Sequence, residues 1–259
     1  MVLELRYVSP GGRVWPLMGE DDDRGVYVKG GEIPALWPVR DETVVRAAGL
    51  SGQRLAAYQS GFSPLGVDFT VVVDGDRVGR PLGEVWAEWL ADWSATTPGA
   101  LVSQVNGGEE RRFEVRLKAD YTPAMPESQF EELGFVELPM SVICDRGVGF
   151  IERDFSGSAV VENPGVDWVW PRVVWSKPGT VVLPSGAVLD LPAATGVRVV
   201  DFDPWVGGEV TDLSGVRDEG LWRRMRGSVF EGVPAGETRR FVLPEGARLM
   251  ASIPVKGWF

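Results

Sequence analysis

The sequence predicts a mainly β protein of two β-sandwich domains, the first with one amphipathic helix, and three observations lead there. Most segments are four to eight residues long, rich in Val, Phe, Trp and Thr, and cut off by Gly, Pro or Asp-Gly, the pattern of antiparallel strands joined by turns. Only Pro81–Ser94 carries a convincing helical stripe. The rhythm then restarts around Asp145-Arg-Gly-Val-Gly149, which puts a boundary at residue 147 and gives domains 1–147 and 148–259. A length of 259 residues, 44% hydrophobic and 24% charged, suits two globular domains with real cores.

Val67–Val73, running into Asp74-Gly75-Asp76, reads as a strand entering a turn. In Pro81–Ser94 the residues Leu82, Val85, Trp86, Trp89, Leu90 and Trp93 recur at helical spacing. Pro81 suits the first turn, Glu84 the positive N-terminal dipole, and Pro98-Gly99 a stop. Three Trp on one helical face are read as core packed on a sheet, not as a sugar platform. Leu101–Val105 and Arg111–Leu117 form a hairpin about Asn106-Gly107, because Asn-Gly accepts the positive φ of tight turns. Phe113, Val115 and Leu117 alternate with Glu114, Arg116 and Lys118, so one face is buried and one is wet. Thr122–Ser128 is a loop and Phe135–Cys144 a long strand. In the second domain Val181–Leu191 turns at Pro184-Ser185-Gly186, and Arg239–Val242 with Arg248–Val255 turns at Pro244-Glu245-Gly246; both are expected to be hairpins. No helical stripe of comparable length follows residue 147.

Composition excludes much chemistry. With no His there is no Ser-His-Asp triad, Cys-His pair or HExxH zinc helix. The lone Cys144 lies in the apolar run Leu138–Cys144 and is expected to be a buried small hydrophobe. The net charge of −11, with 26 Lys+Arg against 37 Asp+Glu, argues against nucleic acid or anionic membrane as the main partner. That charge is concentrated in the first domain, net −9 for residues 1–147 against −2 for the remainder. Met1–Arg6 carries charges where a signal peptide needs an apolar core, and no stretch nears 18 apolar residues, so a soluble protein made without export is expected.

Few motifs carry chemistry. Asp201-Phe202-Asp203 would set two carboxylates on one strand face as a candidate hard-cation site, but Pro204 favours a strand end with a turn. Glu20-Asp21-Asp22-Asp23-Arg24-Gly25 lacks the alternating ligands of an EF-hand and reads as a solvated loop or a ring or partner contact, with Asp21, Asp22 and Asp23 at its centre. Gly147-Val-Gly149 lacks the third glycine of a dinucleotide fingerprint, and Ser176-Lys177-Pro178-Gly179 is a turn and not a Ser/Lys dyad. Trp168 and Trp170 alternate and share a face; with Trp205 they are candidates for glycan or partner contact, core or subunit interface being preferred. No catalytic, cofactor-binding or metal residue is assigned. A carboxylate-only glycosidase would need two apposed acids, which sequence does not locate.

The order of these elements resembles the distal tail (Dit) proteins of long-tailed, non-contractile bacteriophages, especially minor tail proteins of phages of actinobacteria. Pro64-Leu with Val67–Val73, the Trp-rich helix Leu82–Trp93, Pro98-Gly99-Ala-Leu-Val and the hairpin closing on Arg111–Leu117 are similar to that family's ring core. Val142-Ile-Cys-Asp145 occupies the place of its Asp-Pro-aromatic step without the Pro. Further on come Asn163-Pro164-Gly165…Trp170-Pro171, Val199-Val-Asp201-Phe-Asp203-Pro204, Leu221-Trp222 and Val233-Pro234-Ala235-Gly236. The resemblance, over about four fifths of the chain, implies an N-terminal ring-forming, tail-tube-like sandwich and a C-terminal galectin-like sandwich. It also implies a homohexameric ring in the virion tail tip that joins the tail-tube protein to the tail hub or tail-associated lysin and often carries a receptor-binding protein. DNA would pass through the lumen without specific binding. Gly19–Glu32 and Tyr121–Glu132 are the long loops expected to meet neighbours. The alternatives are a carbohydrate-binding, galectin-like host-adhesion module or a tail-tube protein.

Overall fold

A computed structural model of the chain describes residues 2–19, 23–30, 36–39, 44–45, 54–55, 62–123, 134–204 and 206–258. The chain divides into two compact units, Met1–Gly149 with Lys256–Phe259, and Phe150–Val255.

The first unit contains β1 (Leu3–Val8), β2 (Val14–Met18), β3 (Val26–Val28), β4 (Val44–Val45), β5 (Arg54–Leu55), β6 (Leu65–Asp74), α1 (Gly75–Val78), α2 (Leu82–Ala91), β7 (Gly99–Val105), β8 (Arg111–Leu117) and β9 (Phe135–Cys144). Among the described residues β4 and β5 pair only with each other. The other seven strands form one antiparallel ribbon in the order β2-β1-β7-β8-β9-β6-β3. β8 and β9 share only the rungs Arg116↔Ile143 and Leu117↔Val142, so the ribbon folds over there into two layers.

Period-two alternation fills the space between the layers. Val67, Phe69, Val71 and Val73 of β6 and Val136, Leu138, Met140, Val142 and Cys144 of β9 are buried against Leu5, Tyr7, Leu17, Leu101 and Phe113 from the other layer. Cys144 is thus the last inward residue of a long strand, and burial pushes its thiol pKa up, the environment of an inert thiol. The β7–β8 hairpin forms as expected, with Asn106 at φ 49° and Gly107 at φ 69°.

The turn after β6 is one helical turn, α1, capped by the Asp74 carboxylate, which accepts the Arg77 N–H at 2.9 Å. Gly19–Glu32, expected to be a loop throughout, contains β3, because Val26–Val28 completes the β6 edge by pairing with Val71–Val73. Residues 124–132 of the other long loop lie outside the described residues.

α2 seals one end of the core with Leu82, Val85, Trp86 and Trp89, and Trp93 follows just past its end. The tryptophan stripe is therefore core. Trp89 meets the Tyr7, Trp15 and Trp93 rings edge-on at 5.6, 5.3 and 5.3 Å, a preferred geometry of aromatic pairs. Asp92 ties this cluster together: its backbone carbonyl accepts the Tyr7 hydroxyl at 2.9 Å and its carboxylate the Trp15 indole N–H at 2.6 Å. Burial, and after it the Asp92 charge, pushes the Tyr7 pKa upward.

Nearly all of β10 (Gly149–Ser156) belongs to the second unit, with β11 (Ser158–Glu162), β12 (Arg172–Trp175), β13 (Gly179–Val182), β14 (Val188–Leu191), β15 (Arg198–Asp201), β16 (Val210–Thr211), α3 (Glu219–Met225), β17 (Thr238–Val242) and β18 (Arg248–Val255). Two sheets, β16-β15-β12-β18-β10 and β11-β17-β13-β14, enclose a core that includes Val173, Trp175, Val200, Leu249 and Ile253 from the first and Val161, Val181, Leu189 and Phe241 from the second. This is a β-sandwich.

Val181–Leu191 makes its hairpin. Arg239–Val242 and Arg248–Val255 do not: β17 pairs with β11 on one edge and β13 on the other, so β18 has no edge to join. Leu243 and Ala247, buried on either side of Pro244-Glu-Gly, carry the chain across to the opposite sheet. α3, which the sequence did not announce, is capped by the Asp218 carboxylate and buries only Leu221 and Met225.

Candidate assembly surfaces and the aromatic loop

The loop between β11 and β12 is organised by one buried polar side chain, Asn163. Its amide donates to the Asp167 and Val233 carbonyls, each at 2.8 Å, and its Oδ1 accepts the Gly165 N–H at 3.0 Å. Its backbone is also engaged: its N–H donates to the Glu237 carbonyl and its own carbonyl accepts the Gly236 N–H. Asn163 is 1% exposed, so a side chain unable to make these bonds would leave buried groups unpaired. A Cβ at Gly165 would fall 2.2 Å from the Pro254 carbonyl oxygen; only glycine fits. The Asn163-Pro164-Gly165 motif is a brace.

The brace positions Trp168 and Trp170. Val169 between them is buried and forms an isolated antiparallel bridge with Val233, so both indoles fall on the opposite face, as alternation predicts. They stack with centroids 5.2 Å apart and planes within 11°. Trp170 is half-buried over Gly232, where a Cβ would come 2.7 Å from its ring, and Trp168 remains 37% exposed. Trp205 lies outside the described residues.

Asp201 and Asp203 are not two residues on one strand face. β15 ends at Asp201, and the Asp201 carboxylate accepts the Asp203 N–H at 2.9 Å while Phe202 is buried between them. This is an Asx-type turn into Pro204. Among the described residues no three Asp, Glu or Cys side chains converge where they would hold a metal. Asp23 is exposed, and Asp21 and Asp22 lie outside the described residues.

The remaining prominent surface is apolar. In the second unit Val242, Val182 and Val188 lie side by side across three strands, and together with Val160 they are exposed on the outer face of the four-stranded sheet. In the first unit the segment Leu36–Val39 alternates buried Leu36 and Pro38 with exposed Trp37 and Val39. None of these exposed residues was marked by the sequence, which shows no periodicity over so short a stretch.

The chain matches the SPP1 Dit (gp 19.1) protein, described as a paradigm of the hub adsorption apparatus in phages infecting Gram-positive bacteria, over 98% of its own length and 99% of that protein's, with TM-score 0.53 and 13% identity. It also matches, over 100% of both chains and at 11% identity, a chain of the phage P2 baseplate in its activated conformation with Ca, TM-score 0.57, and with Sr, TM-score 0.56. No family model and no curated protein matches the sequence. The chain therefore has a Dit-like fold, at an identity where sequence alone carries little of the likeness.

Proposed function

We propose that the protein is a structural, non-catalytic component of a phage tail tip, located in the virion. In this reading the first unit builds a homohexameric ring between the tail-tube protein and the tail hub or tail-associated lysin. The second unit is galectin-like, projects outward and offers a mounting for a receptor-binding protein. The observation that carries the reading is the match to the SPP1 Dit protein and the P2 baseplate chain over essentially the whole chain, both units included. A tail-tube subunit has no need of the second unit. No helix among the described residues is long and apolar enough to cross a membrane.

The acidic first domain fits a channel that DNA traverses without binding, since like charge repels the phosphate backbone. Negative-stain electron microscopy and native mass spectrometry of the purified protein test the proposal: six-fold rings are expected, and monomers under all conditions overturn it.

A second reading, host adhesion through glycan binding, draws on one observation, the exposed indole of Trp168 stacked on Trp170 and held by the Asn163 brace. A glycan array of host cell-wall sugars decides it. Binding that disappears in Trp168→Ala supports adhesion, and an unresponsive array leaves the sandwich as scaffold.

A further inference from the structure

The second unit is an insertion in the first. The chain leaves the first unit at Gly149 and re-enters it at Lys256, and both crossings meet one side chain of its core, Phe113. A Cβ at Gly149 would lie 2.5 Å from the Phe113 ring, so the departing backbone passes only as glycine. On the return, the Trp258 indole packs edge-on against the same ring at 4.8 Å and is 4% exposed. The Arg111 guanidinium donates to two successive carbonyls of the returning segment, Lys256 at 3.1 Å and Gly257 at 3.3 Å. Gly257, at φ 60°, turns that segment beside the Trp37 ring. A large core residue of the first unit thus comes from beyond the whole of the second.

The second unit is built to keep its own two ends together. The Glu152 carboxylate accepts the Ser252 hydroxyl at 2.8 Å and Asp154 pairs with Arg248 at 3.6 Å. β10 and β18 are therefore antiparallel neighbours, and the first and last residues of the unit, Phe150 and Val255, meet. While that sandwich is folded, Trp258 is tethered close to the ring that Gly149 touches. Once it is unfolded, the same closure spans a flexible loop of about a hundred residues, which makes it roughly a thousandfold less favourable. We propose that Lys256–Trp258 is a clasp through which folding of the second unit closes the first, and that the Phe113 end of the first unit stays open until then. A chain cut off before residue 256 therefore carries an unfinished first unit.

The sole cysteine supplies the probe for the test, which uses the full chain. Cys144 is buried in the first unit, and its thiol donates to the carbonyl of Val148, the residue before Gly149, at 3.8 Å. A buried thiol reacts only when its surroundings open, so the rate of labelling by the thiol reagent DTNB reports opening at this end. Trp258→Ala is expected to speed labelling about tenfold or more, with the near-UV circular dichroism of the Trp168–Trp170 stack showing the second unit still folded. Arg111→Ala, which keeps the indole and removes only the two carbonyl bonds, is expected to give a smaller acceleration, and it carries the test if Trp258→Ala does not fold. Phe241→Asp puts a charge at a fully buried position of the second core and unfolds that unit. It is expected to speed Cys144 labelling about as much as Trp258→Ala does, and the two changes together no more than either alone. Labelling in Trp258→Ala as slow as in the wild type overturns the clasp, and so does slow labelling in Phe241→Asp. Effects that multiply in the double variant also overturn it, because a Trp258 that merely packs would act independently of the second unit. Labelling far faster in Phe241→Asp than in Trp258→Ala does the same, since the first unit would then depend on the second through more than this segment.

Discussion

Asn163→Ala removes a side chain that is 1% exposed and makes three hydrogen bonds. At roughly 1 kcal/mol per bond the direct loss is about 3 kcal/mol. All three abandoned groups partly recover. The Val233 carbonyl keeps the Val169 N–H at 2.9 Å, and the Asp167 carbonyl and Gly165 N–H are only part-buried and open to water. A loss of about 2–3 kcal/mol in the second unit is therefore expected. With a denaturant slope of about 2 kcal/mol/M in urea, its unfolding midpoint falls by about 1–1.5 M, a shift that near-UV circular dichroism follows through the Trp168–Trp170 stack. Asn163→Asp adds a pH test. A carboxylate there faces two carbonyl oxygens, so its folded pKa lies above its unfolded value of about 3.9. A group with a raised folded pKa contributes stability below the unfolded value and loses it as pH rises through the folded one. The variant is expected to be least impaired near pH 4 and most impaired at pH 7. A midpoint unchanged in Asn163→Ala, or Asn163→Asp as stable as wild type at pH 7, refutes the brace.

Two further outcomes follow from the described geometry and a third from the charge of the first domain. Trp89→Ala, which empties the centre of the Tyr7–Trp15–Trp93 cluster, is expected to cost the first unit about 3–5 kcal/mol in urea unfolding; a cost under about 1 kcal/mol denies Trp89 its place in the core. The Asp218 pKa is lowered, first by its hydrogen bond from Arg198 at 2.9 Å and then by the Leu221 N–H. A depressed carboxylate contributes stability above its unfolded value of about 3.9 and loses it as pH falls through the folded value. Carboxyl NMR is expected to show Asp218 titrating below that value, and a free-peptide titration contradicts the pairing. In the proposed ring, a disproportionate share of the Asp and Glu of residues 1–147 is expected to face the lumen, and an electron-microscopy map with a neutral or basic channel excludes this.

Strands with an unbroken inside-outside alternation were legible in the sequence. Phe135–Cys144 emerges with both its ends as read, because one period-two run fixes face and length together. The β7–β8 hairpin was carried by Asn106-Gly107, whose positive φ is a local property. The α2 stripe was legible because it spans three turns. What failed was non-local or short. Pro244-Glu245-Gly246 has the composition of a hairpin turn, yet the partners of β17 come from 160 and 182, far back in the chain; no local signal distinguishes a hairpin from a corner. α3 buries two residues, too few to display a period. β3 is three residues of edge strand inside an acidic, glycine-bearing segment. For the candidate surfaces, the alternation of Trp168 and Trp170 gave their shared face, whereas the bracing role of Asn163 depends on Val233 and Glu237, some seventy residues away.

Assembly is the property on which the account stands. Native mass spectrometry of the purified full chain, with two-dimensional class averages from the same sample, measures it directly. A closed hexamer with six-fold symmetry and an open central channel is expected. A monomer that persists as protein concentration is raised, with no ring among the particles, contradicts it.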